Sequence, residues 1–141
     1  MSKTKVNPYL AFPGNCREAM NFYKNSLEGE LEILEFEDSP MEVPEQHKNK
    51  ILHSKLEFGE SIIMASDIMP GQNVNFGDSM SIAVSAESEE NGEKYFSKLS
   101  EGGKVIMPFE DAFWGAKFGM LQDKFGVRWM VDCTKTDSAS E

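Results

Sequence analysis

The apolar residues of this chain run through the same order of predicted elements twice, and this repetition constrains the fold more than any other feature. Each half reads as a strand, a helix, a strand and a hairpin. The two helices also carry matching residues at one internal spacing, namely Ala19, Phe22 and Tyr23 in the first and Gly92, Tyr95 and Phe96 in the second. A half of about 60 residues is too small to bury both faces of its own sheet. The halves are therefore expected to fold together.

The expected fold class is α+β, with two βαβββ modules. Their strands are predicted to form one curved mixed sheet, with helices on the convex face and a concave cleft on the other. The chain of 141 residues suits a single domain over residues 1–141. Within it, module 1 is predicted to cover residues 5–67 and module 2 residues 78–133. Residues 68–77 form a linker by composition.

Module 1 is expected to begin with a strand over Val6–Phe12 and a helix whose N-cap is Asn15, with Glu18 completing a capping box. The charged loop of residues 37–50 is long enough to act as a lid. Asp67, after the last strand, is expected to form a turn through its side chain. The remaining predicted strands are Leu31–Phe36, Ile51–Phe58 and Ser61–Ser66.

Module 2 ends in an aromatic-rich hairpin within residues 108–132. Its turn ends at Gly126, as tight hairpin turns often do. The helix before it is expected to start at Ser88 as N-cap and to end at Gly102 and Gly103. The predicted strands are Ser79–Ala86, Lys104–Phe109, Ala116–Leu121 and Val127–Val131. The aromatic residues indicate the centre of a core or the wall of a pocket.

Composition excludes several classes of partner. The formal net charge is -10 with no basic patch, so we expect no nucleic-acid partner. No apolar run approaches the roughly 18 residues of a membrane span, and no secretion signal is expected.

Two distant cysteines, Cys16 and Cys133, favour a reduced, cytoplasmic protein. Cys16 lies in a first helical turn, and a structural role is favoured over a catalytic thiol.

Four motifs together resemble the PhnB-like branch of the vicinal oxygen chelate superfamily, which includes glyoxalase I, bleomycin-resistance proteins and extradiol dioxygenases. They are N-P-Y-L-A-F-P-G-N-C-R-E-A-M-N-F-Y at residues 7–23, D-I-M-P-G at 67–71, F-W-G-A-K-F-G at 113–119 and D-K-F-G-V-R-W-M-V at 123–131. The resemblance implies paired βαβββ modules, a homodimer and ligand clefts. The branch is sometimes labelled a demethylubiquinone methyltransferase domain, but the sequence has no Gly-rich strand-to-helix turn for a methyl donor.

The resemblance also identifies where metal-dependent relatives carry a His or Glu, on the first and last strand of each module. The family pattern G-x-R-x-Glu falls on Gly126, Arg128 and Met130. Through the repeat, the corresponding positions are Pro8, Met64, Ser81 and Met130. None is a usual ligand of a divalent ion. We therefore expect no metal and no other cofactor.

The candidate functional residues leave a binding protein and an enzyme open. His53 is the candidate general base, although a half-buried structural His with a hydrogen-bond partner is favoured at its position. Glu57, on the same strand face, could orient His53 or form a simple charge pair. His47, in the charged loop, is expected to be solvated. The predicted ligand-binding residues are Tyr9, His53, Met64, Ser81, Trp114, Phe118, Arg128 and Met130.

Strand parity is expected to direct Arg128, Met130 and Asp132 to the cleft, and Trp129 and Val131 to the core. Arg128 suits an anionic ligand, or else a salt bridge with a carboxylate. Trp114 and Phe118 suit a cleft mouth, or else a dimer interface. The favoured function is metal-independent binding of a small organic molecule. The alternative is an enzyme acting on a small metabolite with His53, Glu57 or Arg128.

Overall fold

The computed structural model describes residues 4–134. The chain divides into two compact units, with the boundary in the sequence between Asn75 and Phe76. Each unit contains one βαβββ module, and the two are described separately. The α+β class and the βαβββ order are thus confirmed. The predicted module bounds, the cleft and the common curved sheet stay predictions.

Module 1 consists of β1 (Tyr9–Phe12), α1 (Cys16–Leu27), β2 (Glu30–Glu35), β3 (Ile51–Phe58) and β4 (Ser61–Asp67). The strand order is β1-β4-β3-β2, with β1 parallel to β4 and the other pairs antiparallel. The loop that was predicted as a lid contains two short 3-10 helices, Phe36–Asp38 and Glu45–His47.

Module 2 repeats this arrangement with β5 (Ile82–Ser85), α2 (Glu89–Ser100), β6 (Lys104–Asp111), β7 (Ala116–Gln122) and β8 (Arg128–Thr134). The strand order is β5-β8-β7-β6, again with only the first pair parallel among the described strands. Among the described residues, no helix is long and apolar enough to cross a membrane.

Two glycines show the repeat at atomic level. A Cβ at Gly29 would lie 2.5 Å from the carbonyl oxygen of Glu57, and a Cβ at Gly103 would lie 2.2 Å from that of Gln122. Gly29 lies between α1 and β2, and Gly103 lies between α2 and β6. The strand after each glycine pairs with the first strand of the hairpin of its module. Any side chain there would collide with backbone. Each module therefore requires a glycine where its helix returns to the sheet.

The core of each module lies between the helix and one face of the sheet. In module 1, Phe12, Met20, Tyr23 and Leu56 are fully buried. In module 2 the fully buried residues are Leu99, Leu121, Trp129 and Val131, which confirms the predicted parity of the last strand. Burying each large apolar side chain contributes about 1.5–3 kcal/mol to folding.

Both helices begin after their predicted N-cap residues, Asn15 and Ser88, but the predicted capping box of α1 is wrong. Ser88 caps α2 as expected, because its hydroxyl oxygen accepts the N–H of Asn91 at 3.1 Å. The Asn15 side chain makes no capping bond to α1, so the predicted capping box with Glu18 is not formed. A carboxylate from the far end of the module takes its place.

That carboxylate belongs to Asp67, which is 4% exposed. Its Oδ1 accepts the N–H groups of Gly14 at 3.1 Å and Cys16 at 2.9 Å, and its Oδ2 accepts the N–H of Ile51 at 2.9 Å. The predicted turn-forming role of Asp67 is therefore wrong. Asp67 instead ties β4 to the start of α1 and to the start of β3, with its negative charge at the positive end of the helix.

Several strand boundaries differ from the predictions, among them those of the first, second and fifth strands. The first strand begins at Tyr9 rather than Val6, because Pro8 lacks an N–H and offers only its carbonyl oxygen, which accepts from Met64. The fifth begins at Ile82 rather than Ser79. Phe36 does not end β2, because it begins a 3-10 helix and is buried.

Candidate functional site

Each sheet has one face packed against its helix and one face that carries no helix, which we call the helix-free face. Alternation along β8 shows the two faces of module 2, since Trp129 and Val131 are buried while Arg128, Met130 and Asp132 are half-buried. Directly paired residues of neighbouring strands point to the same face. The strand register therefore fixes which side chains share the helix-free face.

The helix-free face of module 2 consists of three rows of paired residues. The methionine row contains Ala83, Met130, Met120 and Met107. The basic row, on one side of it, contains Arg128, Gln122 and Lys104. The acidic row, on the other side, contains Ser85, Asp132, Phe118 and Glu110. An apolar strip thus separates a positively charged end from a negatively charged end.

Arg128 has no ion pair or hydrogen bond within the described part of the chain. Its Nε is screened from solvent and lacks a hydrogen-bond partner there. Asp132 lies four residues along the same strand, which is about 13 Å. The alternative in which Arg128 forms a salt bridge is therefore not seen among the described residues. A buried donor without an acceptor costs about 1–3 kcal/mol, which a bound anion would offset.

Aromatic side chains extend the acidic row beyond the edge of the face. The rings of Trp114 and Phe118 meet edge to face at 5.7 Å between centroids, and those of Phe113 and Trp114 at 5.0 Å. Trp114 is 56% exposed and Phe113 is 97% exposed. The β6–β7 turn and the first half of β7 therefore carry an aromatic cluster, formed by Phe113, Trp114 and Phe118, with the first two rings exposed.

The helix-free face of module 1 brings together three of the predicted residues. The register places Tyr9 opposite Met64, with Lys55 on the next strand. The hydroxyl of Tyr9 lies 3.1 Å from Nδ1 of His53, a tyrosine–histidine pair that the sequence did not predict. Their rings are tilted, with centroids 5.7 Å apart.

Of the two alternatives for Glu57, orienting His53 or forming a charge pair, the structure shows the charge pair. The Oε2 of Glu57 lies 3.2 Å from Nζ of Lys55, which lies between His53 and Glu57 in the sequence. Lys55 and Glu57 are alternate residues on one strand, so this is a charge pair on the helix-free face. His53, the other candidate catalytic residue, has Tyr9 as its neighbour, and a phenol beside an imidazole is suited to proton transfer.

The register also corrects two of the positions compared with metal-dependent relatives. On the first strands, Tyr9 rather than Pro8 faces Met64, and Ala83 rather than Ser81 faces Met130. Ser81 precedes β5 and is exposed. Phenol, methyl and thioether groups do not provide the imidazole and carboxylate donors of such sites. No cluster of three or more His, Cys, Asp or Glu suited to a metal occurs in residues 4–134.

Two other predicted residues lie away from both helix-free faces. His47 is not solvated as expected but half-buried, with its ring 4.7 Å from that of Phe36 and its Nε2 screened from solvent. Cys16 is fully buried. Burial raises the pKa of the Cys16 thiol to about 12. The thiol therefore stays protonated at neutral pH, which agrees with a structural role.

Sequence reasoning missed Met107, Gln122 and Lys104 on the face of module 2. Their positions depend on the register of β6, which shifts between Val105 and Met107 and again between Met107 and Glu110. An irregular edge strand gives no clear alternation in the sequence. The position of Gln122 could have been predicted from the hairpin of β7 and β8. Its tight turn begins at Asp123 and therefore places Gln122 opposite Arg128.

The two βαβββ modules, each with a mixed sheet and a helix on one face, define the glyoxalase/bleomycin-resistance fold of the vicinal oxygen chelate superfamily. The fosfomycin resistance protein FosX of Listeria monocytogenes, solved with Mn(II), shows the same fold with a TM-score of 0.66. It is 14% identical, over 97% of this chain and 96% of that one, and at this level only the fold is shared.

Within that superfamily, the chain belongs to the PhnB-like family whose model is described as 3-demethylubiquinone-9 3-methyltransferase, which matches residues 4–132. Similar proteins include Protein YjdN of Escherichia coli K12, which is 30% identical over 92% of this chain and 95% of that protein.

Two solved structures are also similar. Protein PA1353 of Pseudomonas aeruginosa is 43% identical, with a TM-score of 0.86 over 94% of this chain and 99% of that one. A Bacillus cereus PhnB protein, described as a putative 3-demethylubiquinone-9 3-methyltransferase, is 29% identical, with a TM-score of 0.77 over 93% of this chain and 100% of that one.

Proposed function

We propose that this protein binds a small organic molecule on a helix-free sheet face and does so without a metal ion. The observation that carries the proposal is the guanidinium of Arg128, which lies beside the methionine row and has no partner among residues 4–134. A cation that is partly desolvated next to flexible thioether side chains suits a ligand with a negatively charged group and an apolar body.

Metal independence is supported by the side chains at the positions where related metalloproteins hold their ion. The last strand of each module carries a methionine there, Met64 and Met130, and the facing residues are Tyr9 and Ala83. A hard divalent ion gains little from thioether or methyl groups. A methyl transfer, as in the name of the family, is not proposed, because a βαβββ module lacks the Gly-rich turn that binds such cofactors.

The proposal also includes the oligomeric state, the location and the partner of the protein. We expect a homodimer in the cytoplasm whose partner is a small organic molecule rather than nucleic acid or a membrane. The formal net charge of -10 supports this exclusion, since it disfavours binding to phosphate backbones and to acidic lipid surfaces. The oligomeric state can be measured by light scattering.

A thermal-shift panel of small metabolites tests this function. At least one compound is expected to raise the melting temperature by about 3–8 °C at saturating concentration, equally with and without a chelator. Ala83→Glu, which places a carboxylate in the methionine row at an exposed position, should abolish the shift. Ser97→Glu, which adds the same charge on an exposed position of α2, is the matched control and should retain it. A shift that requires a stoichiometric metal would contradict the proposal.

The alternative is an enzyme, and the pair formed by Tyr9 and His53 favours it. A phenol within hydrogen-bond distance of an imidazole can relay or hold a proton during reaction of a small metabolite. If a substrate is found, His53→Gln should lower kcat by about 100-fold or more while leaving binding of that substrate unchanged. Tyr9→Phe should give a smaller loss. Equal turnover in His53→Gln and the wild type would reject this alternative.

A further inference from the structure

We propose that the ligand of the helix-free face of module 2 is an elongated aromatic carboxylate, with its carboxylate at Arg128 and its ring at the aromatic cluster. This inference rests on the proposed function and names the class of ligand. It comes from the order of the three rows, which run from positive charge through apolar surface to aromatic rings flanked by acidic residues.

The anionic end of the ligand is assigned by the basic row. Arg128 presents a planar guanidinium whose Nε has no partner in the described part of the chain, and a carboxylate can accept two parallel N–H bonds from such a group. Gln122 lies directly opposite on β7, and its amide nitrogen donates one N–H to the carbonyl oxygen of Gly126 at 3.2 Å, which leaves the second N–H for a ligand. Lys104 adds a second cation at the edge strand. The planar fork binds carboxylates and phosphates alike, so charge rather than shape must distinguish the two.

The total charge of the protein favours a single negative charge on the ligand. With a formal net charge of -10, each added negative charge meets a repulsive field. Asp132 and Glu110 also lie on this face, at the end away from Arg128. A dianion that extended towards them would be repelled. A monoanionic carboxylate placed at the basic row avoids that end.

The body of the ligand is assigned by the methionine row and the aromatic cluster. Met130 and Met120 are paired across β7 and β8 between the basic and acidic rows, and both are half-buried. Beyond the two methionines lie the rings of Phe118 and the exposed Trp114, whose centroids are 5.7 Å apart. Edge-to-face rings of this kind leave a face free for stacking by a further ring.

The spacing of the rows sets the length of the ligand. Arg128 and Asp132 are separated by four residues, or about 13 Å along the strand. Because the arginine side chain is long, the distance that the ligand must span between the basic row and the acidic row is shorter than this. The ring and the carboxylate should therefore be joined by several bonds rather than directly. The hydrogen-bond acceptors of the acidic row would also accept a hydroxyl group on the ring.

The test is a calorimetric titration with 6-phenylhexanoate, its neutral isostere 6-phenylhexanamide, and hexanoate, all in the presence of chelator. The carboxylate should bind about 10-fold or more tightly than either the amide or hexanoate. Arg128→Gln should raise the Kd of the carboxylate about 10–100-fold and leave that of the amide unchanged. Lys24→Gln, the same loss of charge at an exposed position of α1, should change neither.

The outcomes separate this inference from the function on which it rests. Equal affinity for acid and amide, or an Arg128→Gln variant that binds the acid as the wild type does, overturns the carboxylate assignment but not ligand binding. Absence of saturable binding by both aromatic probes overturns the inference, while the metabolite panel still decides the function. Arg128→Lys keeps the charge without the planar fork and should recover only part of the affinity, which excludes general misfolding as the cause.

Discussion

Replacing Asp123 with alanine is expected to lower the free energy of unfolding by about 3–5 kcal/mol, the largest effect of any polar substitution in module 2. Asp123 is 3% exposed. Its Oδ1 accepts the N–H groups of Phe125 at 2.8 Å and Val127 at 3.0 Å, and its Oδ2 accepts the indole N–H of Trp129 at 2.9 Å. Without the carboxylate these donors lose their acceptors inside the core.

Urea unfolding followed by tryptophan fluorescence measures this change, because the fully buried Trp129 reports on the same site. Asp123→Asn keeps one carbonyl acceptor and is expected to lose about half as much. Asp78→Ala, at an exposed position, is the control and should change stability by less than about 0.5 kcal/mol. If Asp123→Ala were as stable as Asp78→Ala, the carboxylate would not organise the hairpin turn.

Replacing Asp67 with alanine is expected to destabilise module 1 by a similar amount, about 3–5 kcal/mol. Its carboxylate accepts three backbone N–H groups, from Gly14, Cys16 and Ile51, and thereby joins three elements of the module. It also supplies the negative charge at the start of α1, where Asn15 makes no capping bond. Alanine removes all of these contacts and leaves the first turn of the helix uncapped.

Circular dichroism of thermal unfolding measures the Asp67 effect, with an expected decrease in Tm of about 10 °C. Since both tryptophans lie in module 2, fluorescence and circular dichroism together show whether the two modules unfold as one. Asn15→Ala is the informative comparison, because its side chain makes no cap and the loss should stay below about 0.5 kcal/mol. A larger loss in Asn15→Ala than in Asp67→Ala would reject the assigned cap.

Much of the fold follows from local sequence pattern, because alternation and turn residues act over a few positions. The parity of β8 is one case, since Trp129 and Val131 are buried as its alternation predicts. The cap of α2 is another, because Ser88 bonds to a residue three positions away. The cap of α1 could not be predicted in this way. Its acceptor, Asp67, is about 50 residues distant along the chain and reaches the helix only through β-sheet pairing.

The candidate site was predictable in its residue types but not in its arrangement. Arg128, Met130, Phe118 and Trp114 could be selected from the sequence because the aromatic hairpin and the resemblance both lead to them. The pairing that aligns Met130 with Ala83 rather than Ser81 requires the register of a parallel strand pair. No local turn sets that register, because parallel strands are joined through a long crossover. The pair formed by Tyr9 and His53 depends on the same kind of long-range register.

The most direct measurement of metal-independent binding is a methionine-methyl NMR titration of metal-stripped protein with the most stabilising metabolite of the panel. The methyl signals of Met120 and Met130 should shift with saturation, while that of the core residue Met20, which is fully buried in module 1, should not move. The Ala83→Glu variant should show no shift at either position. If Met120 and Met130 respond only after a divalent metal is added, or do not respond at all, the proposed binding mode is wrong.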